Sequence, residues 1–576
     1  MSKKVWQIMP SLSDDLKNKH KDYSPILLQL LKNRKIETEA EIKEYLYGEF
    51  GVDTHSPFLF NQMEEVVALI IKHIKAHNKI VVYGDYDADG VTASAVLVEI
   101  LEIFKAEVGV YIPDRVSEGY GLNQEALDSI LDDGVKLIIT VDGGIRNYEE
   151  VKYAKSKGLD VIITDHHVAP ENKEEMPDCL IINTQVEEEK YPFKYLAGVG
   201  AAFKLARALI SKAKLEDAHK KRLEERLLDL VSIGTIADMV SLVGENRILA
   251  KKGLEILNST NRPGLKELIK GSNINHGRIL TSWNIGFQLA PRLNAAGRIN
   301  HANTAYELLT TKEQKEARNL AQGLNENNAE RQDITIDIVD KVKAQINEDD
   351  KIIIGLCGES DEKWNEGVIG LVAGKIANKY YRPTLVITKT EDGYKGSGRG
   401  ILEFNIVEAV EEASDYLDKY GGHPMACGFS LQEKDLDDFL KKIREIADKK
   451  LADVNLAPKI QIDTELSMED INEELISDLE LMEPFGKDNE RPIFCSRNVN
   501  IMDISIMGFE QQHIKFRLKE GDSRVLSALG FGQAQKWQDC KIGDVIDIAY
   551  YLEINEFNGR REIQMKIVDI ILHDKE

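Results

Sequence analysis

One short stretch limits what this chain can fold into more than any other. Lys79-Ile80-Val81-Val82-Tyr83 is a β-branched, apolar run that reads as a buried strand, and residues 90–104 read as a helix. Between them, Gly84-Asp85-Tyr86-Asp87-Ala88-Asp89-Gly90 places three carboxylates at alternate positions. A strand that breaks into a helix in this way belongs to an open α/β sheet, whose ligands gather at the carboxyl ends of its strands. Carboxylates this close raise one another's pKa unless a cation compensates, and an oxygen-rich set suits a hard ion such as Mg²⁺ or Mn²⁺. The bland alternative is an acidic turn with solvated side chains.

The neighbouring sequence argues for the metal. Short apolar runs at 108–112, 137–141, 161–164 and 179–182 alternate with helical segments, the pattern of a doubly wound, mostly parallel sheet. The run at 137–141 passes into Asp142-Gly143-Gly144, and the run at 161–164 into Asp165-His166-His167. Both put polar groups on the sheet edge that carries Asp85, Asp87 and Asp89. Further on, Asp238 interrupts the apolar stretch 234–240 and is the candidate last ligand, with a helix cap as its alternative reading.

A chain of 576 residues exceeds one core, so several domains are expected. Residues 1–50 read as an N-terminal cap on the adjoining domain, 51–310 as the α/β domain with the carboxylates, and 311–348 as a long connector helix between lobes. Residues 349–452 read as a second, smaller α/β domain. Residues 459–576 show alternating runs and a hairpin signal at Asn558-Gly559, the pattern of a small antiparallel β-barrel of oligonucleotide-binding (OB) type.

Cationic groups occur at set places. Arg292 and Arg298 lie in an otherwise apolar stretch and Arg115 at a strand end, where a guanidinium suits bidentate phosphate binding. Gly396-Ser397-Gly398-Arg399-Gly400 suits close approach to a phosphate through backbone N–H groups, and residues 421–428, with His423, are a second glycine-rich stretch. Phe516, Arg517, Arg524, Phe531, Lys536 and Trp537 are candidates for a stacking and basic groove on the barrel. The net charge of −24 argues against coating nucleic acid by bulk electrostatics but allows a local basic groove. The five cysteines are scattered and odd in number, which argues against a disulfide framework and for a reduced, cytoplasmic setting. No apolar run approaches a membrane span.

The motifs GDYDADG at 84–90, VDGGI at 141–145, DHH at 165–167, GTIADMV at 234–240, APRLNAAGR at 290–298, GSGRG at 396–400 and GGHPMACG at 421–428 stand in family order. Together they resemble the DHH/DHHA1 phosphoesterase superfamily, and the terminal barrel resembles the layout of its bacterial single-strand-specific exonucleases. The resemblance implies two Mn²⁺ or Mg²⁺ ions held by Asp85, Asp87, Asp89, Asp142, His166 and Asp238, with Asp142 as the bridge. It implies Asp165 as the orienting partner of His166, and His167 at the scissile phosphate or the leaving group. It also implies a 5′-terminal phosphate read by Arg115, Arg298, Ser397 and Arg399. Digestion of single-stranded DNA would then run 5′ to 3′ and release mononucleotides, in repair and recombination, by a monomer that works with a helicase and a single-strand-binding protein. Two rivals remain: a superfamily hydrolase of cyclic dinucleotides or short oligonucleotides, and a non-catalytic scaffold that binds single strands.

Overall fold

The computed structural model describes residues 4–573 except 116, 275–276, 300, 348, 359–362 and 558–559. It divides into two compact units, His55–Val240 with Lys252–Ala457, and Ser2–Thr54 with Ser241–Lys251 and Pro458–Glu576.

The first unit is built on a five-stranded parallel sheet. Its order is Val108–Tyr111, Ile80–Tyr83, Leu137–Val141, Asp160–Thr164, Leu180–Ile182. The strand Leu137–Val141 is buried throughout, as its unbroken apolar run requires when helices cover both faces. On one face Leu127, Ile130, Val151 and Ala154 from two helices pack with Ile138 and Ile163. The helix Ala88–Ile103 is buried along most of its length. The first strand in sequence lies between the second and third, so the connections leave Ile80–Tyr83 and Leu137–Val141 in opposite senses. A crevice opens at the carboxyl ends of such a pair. Asp85 follows one of these strands and Asp142 the other.

The long helix Gln314–Lys343 has 30 residues and is about 45 Å long at 1.5 Å per residue. The sequence predicts a rigid connector between lobes rather than part of one core, and the helix is buried at both ends. Ala317, Ala321 and Leu324 are buried in its first half, and Ile338, Val339 and Val342 join Val368, Val372 and Val386 in one cluster. The sheet beyond it is mixed, in the order Lys419–His423, Ala426–Leu431, Tyr394–Arg399, Thr384–Lys389, Ile353–Leu356.

The glycine-rich 396–400 stretch differs from its expected form. It is not a phosphate-cradling loop but most of an interior strand, paired on both sides, so the ladder takes up its backbone groups. A Cβ at Gly396 would meet the Phe429 ring at 2.1 Å and one at Gly398 the Cys427 sulfur at 2.5 Å. Gly398 therefore faces the core and is withdrawn as a phosphate contact. Ser397 and Arg399, on the alternate face, remain.

In the second unit the pairings of Phe494–Met507, His513–Lys519, Leu526–Gly530, Arg560–Leu572 and Val545–Phe557 close into a ring, because the first and last of these also pair. The expected all-antiparallel barrel has one parallel seam, between Leu526–Gly530 and Arg560–Leu572. The Asn558-Gly559 turn lies outside the described residues. Residues 4–54, expected as a cap on the adjoining domain, belong to this second unit. Leu27, Leu30, Leu31, Ile42 and Leu46 share a core with Leu475, Met482, Phe516 and Tyr550, since an amphipathic helix docks wherever its apolar face is matched. Arg247 is buried in this unit and donates to the carbonyls of Tyr45, Leu481, Met482 and Pro484. No described helix is long and apolar enough to cross a membrane, and all five cysteines are free thiols.

Candidate metal centre and phosphate pocket

Four separate segments bring their polar side chains to the crevice. Asp87 caps the helix Ala88–Ile103, its Oδ1 accepting from the N–H groups of Asp89 (2.9 Å) and Gly90 (3.1 Å). Asp89, at the start of the same helix, is fully buried and accepts from the N–H of Gly198 (2.7 Å) and of Val199 (2.9 Å) at the start of another helix. Asp142 has a left-handed backbone, φ 59°, a strain that a non-glycine residue carries mainly at functional sites. Gly198 lies against it so closely that a Cβ would come within 2.6 Å of its carboxylate. Asp238 ends the helix Asp217–Ala237 as its C-cap residue, and its carboxylate also reaches the cluster.

The imidazole of His166 joins these groups. Its Nε2 lies 3.1 Å from Asp142 Oδ1, 3.6 Å from Asp238 Oδ2 and 4.0 Å from Asp89 Oδ2. Ligand atoms of Asp89, His166 and Asp238 lie within 4.8 Å of one another, as do those of Asp85, Asp87 and Asp142, and those of Asp142, His166 and His167. Asp85 Oδ1, Asp142 Oδ1, His166 Nε2 and Asp238 Oδ2 are buried without a hydrogen-bond partner. Buried polar atoms seldom go unpaired, and four converging acceptors in that state fit divalent cations.

The electrostatics agree. Burial, and then neighbouring carboxylates, push Asp85 up to about 7, Asp238 to about 8 and Asp142 well above the carboxylate range. Burial raises Asp89 to about 6 although His166 opposes it. Asp165 behaves in the opposite way. Burial raises it, but bonds from His167 outweigh that and hold it at about 2. Its Oδ1 accepts from His167 Nδ1 at 2.8 Å and from the backbone N–H of His166 (2.6 Å) and His167 (3.1 Å), while Oδ2 accepts from Ile145 N–H (3.0 Å). The expected pairing with the His166 ring is thus corrected: Asp165 orients the ring of His167, because that ring turns back toward the strand end. Burial lowers the pKa of His167, and Asp165 more than reverses this, lifting it to about 9.

A second cluster is cationic. The Arg115 guanidinium lies 4.6 Å over the Tyr86 ring, between two of the rim aspartates in sequence. Arg298 donates to Gly367 O at 2.7 Å, and its Nε is buried without a partner. A Cβ at Gly370 would come within 3.0 Å of Ser397 Oγ and 3.7 Å of an Arg399 nitrogen, so Ser397 and Arg399 face the helix Glu366–Tyr380 whose first turn Arg298 touches. Arg292 is held by Asn325 Oδ1 and Gln288 O, each at 2.6 Å. Among the described residues none of Arg115, Arg292, Arg298 and Arg399 has an ion pair. His423 does not converge with them. It is exposed on an outer strand that Ala426–Leu431 separates from Arg399.

On the barrel, Phe516 is fully buried and is withdrawn as a stacking residue. Trp537 packs partly against the core and donates to Gln533, whereas Arg517 is exposed. Arg517 belongs to an alternating column, His513, Lys515, Arg517 and Lys519, on the outer face of one strand. Phe531, half exposed, stands edge-on to His513 at 5.4 Å, and the Lys566 ammonium lies 5.8 Å from its ring.

Sequence reading missed the N–H groups of Gly198 and Val199, the Asn294 Oδ1 that accepts from Ala88 N–H at 2.7 Å, and Arg331. Backbone donors carry no residue signal, and Arg331 reads as one more charge on a long helix.

Known proteins resemble the chain along its whole length. Residues 79–235 match the DHH family, N-terminal domain; residues 349–449 match the DHHA1 domain; residues 462–569 match the RecJ OB domain. The chain is 39% identical over 577 residues to the single-stranded-DNA-specific exonuclease RecJ of Bacillus subtilis, covering 99% of this chain and 71% of that one. Its fold is similar to the crystal structure of RecJ from Thermus thermophilus with Mn²⁺ (TM-score 0.83, 27% identity, 99% of this chain and 80% of that one). A second crystal structure, of the same protein with Mg²⁺, gives a TM-score of 0.76 at 26% identity and covers 99% and 79% of the two chains.

Proposed function

The chain belongs to the RecJ family of single-stranded-DNA-specific exonucleases, and from that premise we propose how its residues divide the work. It is a metal-dependent exonuclease of single-stranded DNA, with Mn²⁺ or Mg²⁺ as cofactor. The observation that carries the assignment of residues is the convergence of four buried, unpartnered ligand atoms at the switch point of the sheet. Asp85, Asp87, Asp89, Asp142, His166 and Asp238 would hold two ions, and Asp142 belongs to the ligand groups of both the Asp85–Asp87 and the His166 sides. When bound, such a pair supplies Lewis-acid activation of water and of the scissile phosphate.

The protein's own groups do the rest. Gly198 and Val199 N–H fix the Asp89 carboxylate, and Asp87 is fixed by the helix it caps. Asp165 keeps the His167 imidazolium charged and aimed at the rim, where it can hydrogen-bond the scissile phosphate or give its proton to the leaving 3′ oxygen. Five carboxylates exceed the charge of two divalent ions, and the arginines restore the balance. Arg115, Arg298, Ser397 and Arg399 bind the 5′-terminal phosphate, which sets digestion as 5′ to 3′ with release of mononucleotides. The basic column of the barrel, with Arg517 and Phe531, holds the strand by backbone contacts and stacking. Cytoplasmic location, a monomeric state and work beside a helicase and a single-strand-binding protein in repair and recombination complete the proposal; they rest on family resemblance and the free thiols.

A digestion assay tests the direction and the pocket together. A 5′-phosphorylated single strand labelled at its 3′ end is expected to shorten from the unlabelled end and release mononucleotides, faster than its 5′-hydroxyl counterpart. Loss of the 3′ label first would overturn the assignment. Activity confined to cyclic dinucleotides or dinucleotides would favour the small-substrate branch of the superfamily.

A further inference from the structure

The helices Ala290–Ile299 and Gln314–Lys343 pack against one another, and the only charged residues of the shorter one are Arg292 and Arg298. Arg292 crosses the seam between them to Asn325. Six residues further along each helix, about 9 Å at 1.5 Å per residue, come Arg298 and Arg331. Arg331 lies close enough to lower the proton affinity of Arg298, and Arg292 does the same to Arg331, after burial in both cases. Among the described residues Arg331 has no ion pair, and its Nε is buried without an acceptor. Asn328, midway between Asn325 and Arg331, is buried with its Oδ1 unpartnered. The Nε atoms of Arg298 and Arg331 are both buried without an acceptor, and two such donors on packed helices mark a place that an anion completes.

Helix packing indicates where that anion sits: Arg298 reaches Gly367 O at the first turn of Glu366–Tyr380, and Arg292 bridges to Asn325 on the helix that carries Arg331. Arg115 and Arg298 feel the rim aspartates Asp85 and Asp87, respectively. Arg331 comes next, and Arg292 lies beyond it. One nucleotide separates the scissile phosphate from the terminal one. Any further anion on the far side of Arg298 is therefore attached to the 5′ end itself.

We propose that Arg331, with Arg292 behind it, forms a second anion subsite that takes a phosphoryl group carried on the 5′-terminal phosphate, as in single strands ending in a 5′-diphosphate or 5′-triphosphate. The subsite rests on the reading of Arg115, Arg298, Ser397 and Arg399 as the terminal-phosphate pocket and extends its substrate class. The chemistry is the ordinary hydrolysis: the oxygen of water joins the scissile phosphorus, the bond to the 3′ oxygen breaks and that oxygen takes a proton. The first product from such an end is a nucleoside 5′-triphosphate, and the shortened strand carries a 5′-monophosphate.

The test compares strands of one sequence with 5′-hydroxyl, 5′-monophosphate and 5′-triphosphate ends, at fixed free Mn²⁺, in the full-length enzyme and in Arg331→Gln and Arg331→Lys. The enzyme is expected to bind the triphosphate end about 10-fold more tightly than the monophosphate end, as KM for the first cleavage. Arg331→Gln is expected to erase that advantage while the monophosphate KM stays within about 2-fold, and Arg331→Lys to keep part of it. Inorganic tripolyphosphate should inhibit the unmodified enzyme more strongly than orthophosphate, a readout that needs no variant to fold. Equal loss on both phosphorylated ends in Arg331→Gln would overturn the proposal and place Arg331 in the terminal pocket. So would equal inhibition by the two anions, or no change in Arg331→Gln. If the unmodified enzyme fails to distinguish 5′-hydroxyl from 5′-monophosphate, the underlying pocket reading falls; if it distinguishes them and gains nothing from the triphosphate, only the second subsite falls.

Discussion

The acidic rim and the arginine seam of the first unit pose one electrostatic problem with opposite signs. At the rim, Asp85, Asp89, Asp142 and Asp238 are driven toward protonation by burial. In the seam, burial and then Arg115 and Arg331 push Arg298 down to about 9. The rim sets the His166 imidazole among five carboxylates, and among the described residues Arg298 and Arg331 have no ion pair. Elsewhere in the same unit, buried Arg262 meets Asp229 at 3.0 Å and Glu99 at 2.7 Å and is held charged. The contrast separates charges that serve the fold from charges open to a ligand: Arg262 is paired within the protein, whereas in the reading proposed above the rim takes cations and the seam takes phosphate.

The strongest way to break this comparison is to remove the shared rim carboxylate. Asp142→Ala is expected to lower kcat by at least about 10³-fold, the order of losing a preorganised charge contact or more, while binding of a single strand is largely kept. Fluorescence anisotropy alongside the digestion assay measures both; full activity in this variant would end the bridging role. On the other side of the comparison, Arg399→Gln is expected to lower kcat/KM on a 5′-phosphorylated strand about 10²-fold and to change a 5′-hydroxyl strand much less. An equal loss on both ends would make Arg399 a structural residue.

The pH response of stability sharpens the difference. Asp89, Asp85 and Asp238 have carboxyls raised to about 6, about 7 and about 8. A raised folded value means that the metal-free fold keeps protons the unfolded chain releases. Its contribution is complete below the unfolded value of about 3.9 and is lost as pH rises through the window 6 to 8. Metal-free protein should therefore lose Tm across that window, and the gain in Tm on adding Mn²⁺ should grow across it. Calorimetry with and without the ion checks this, and a flat metal-free Tm would count against the cluster. The smallest effect is expected at the barrel: Arg517→Ala should raise KM for long strands about 3-fold to 10-fold, flatten its salt dependence and leave kcat alone. A change in kcat instead would tie Arg517 to the chemistry.

Much of the rim was legible because its chemistry is written into residue types at strand ends. A β-branched run followed by Asp, repeated three times along a parallel sheet, leaves few places for those side chains to go. The seam was legible only in part. Arg292 and Arg298 stood out against an apolar background, but Arg331 sits in a helix full of charges, where periodicity cannot tell a packed face from a solvated one. The glycines at 396 and 398 misled because a phosphate loop and a crowded strand both need small residues; the partners Phe429 and Cys427 decide, and they lie about thirty residues away in sequence. Phe516 misled for a similar reason, since alternation names the two faces of a strand without saying which is the core. The docking of residues 4–54 onto the C-terminal barrel core was beyond reach, because an amphipathic helix records that it is covered and not by what.

The central claim is that side chains from four segments share two ions at one rim. Anomalous scattering at the manganese edge from crystals grown with Mn²⁺ tests it most directly. Two peaks are expected, one in contact with Asp89, His166 and Asp238, the other with Asp85 and Asp87, and both with Asp142. Peaks that touch none of these residues, or a rim without a peak at saturating Mn²⁺, would contradict the account.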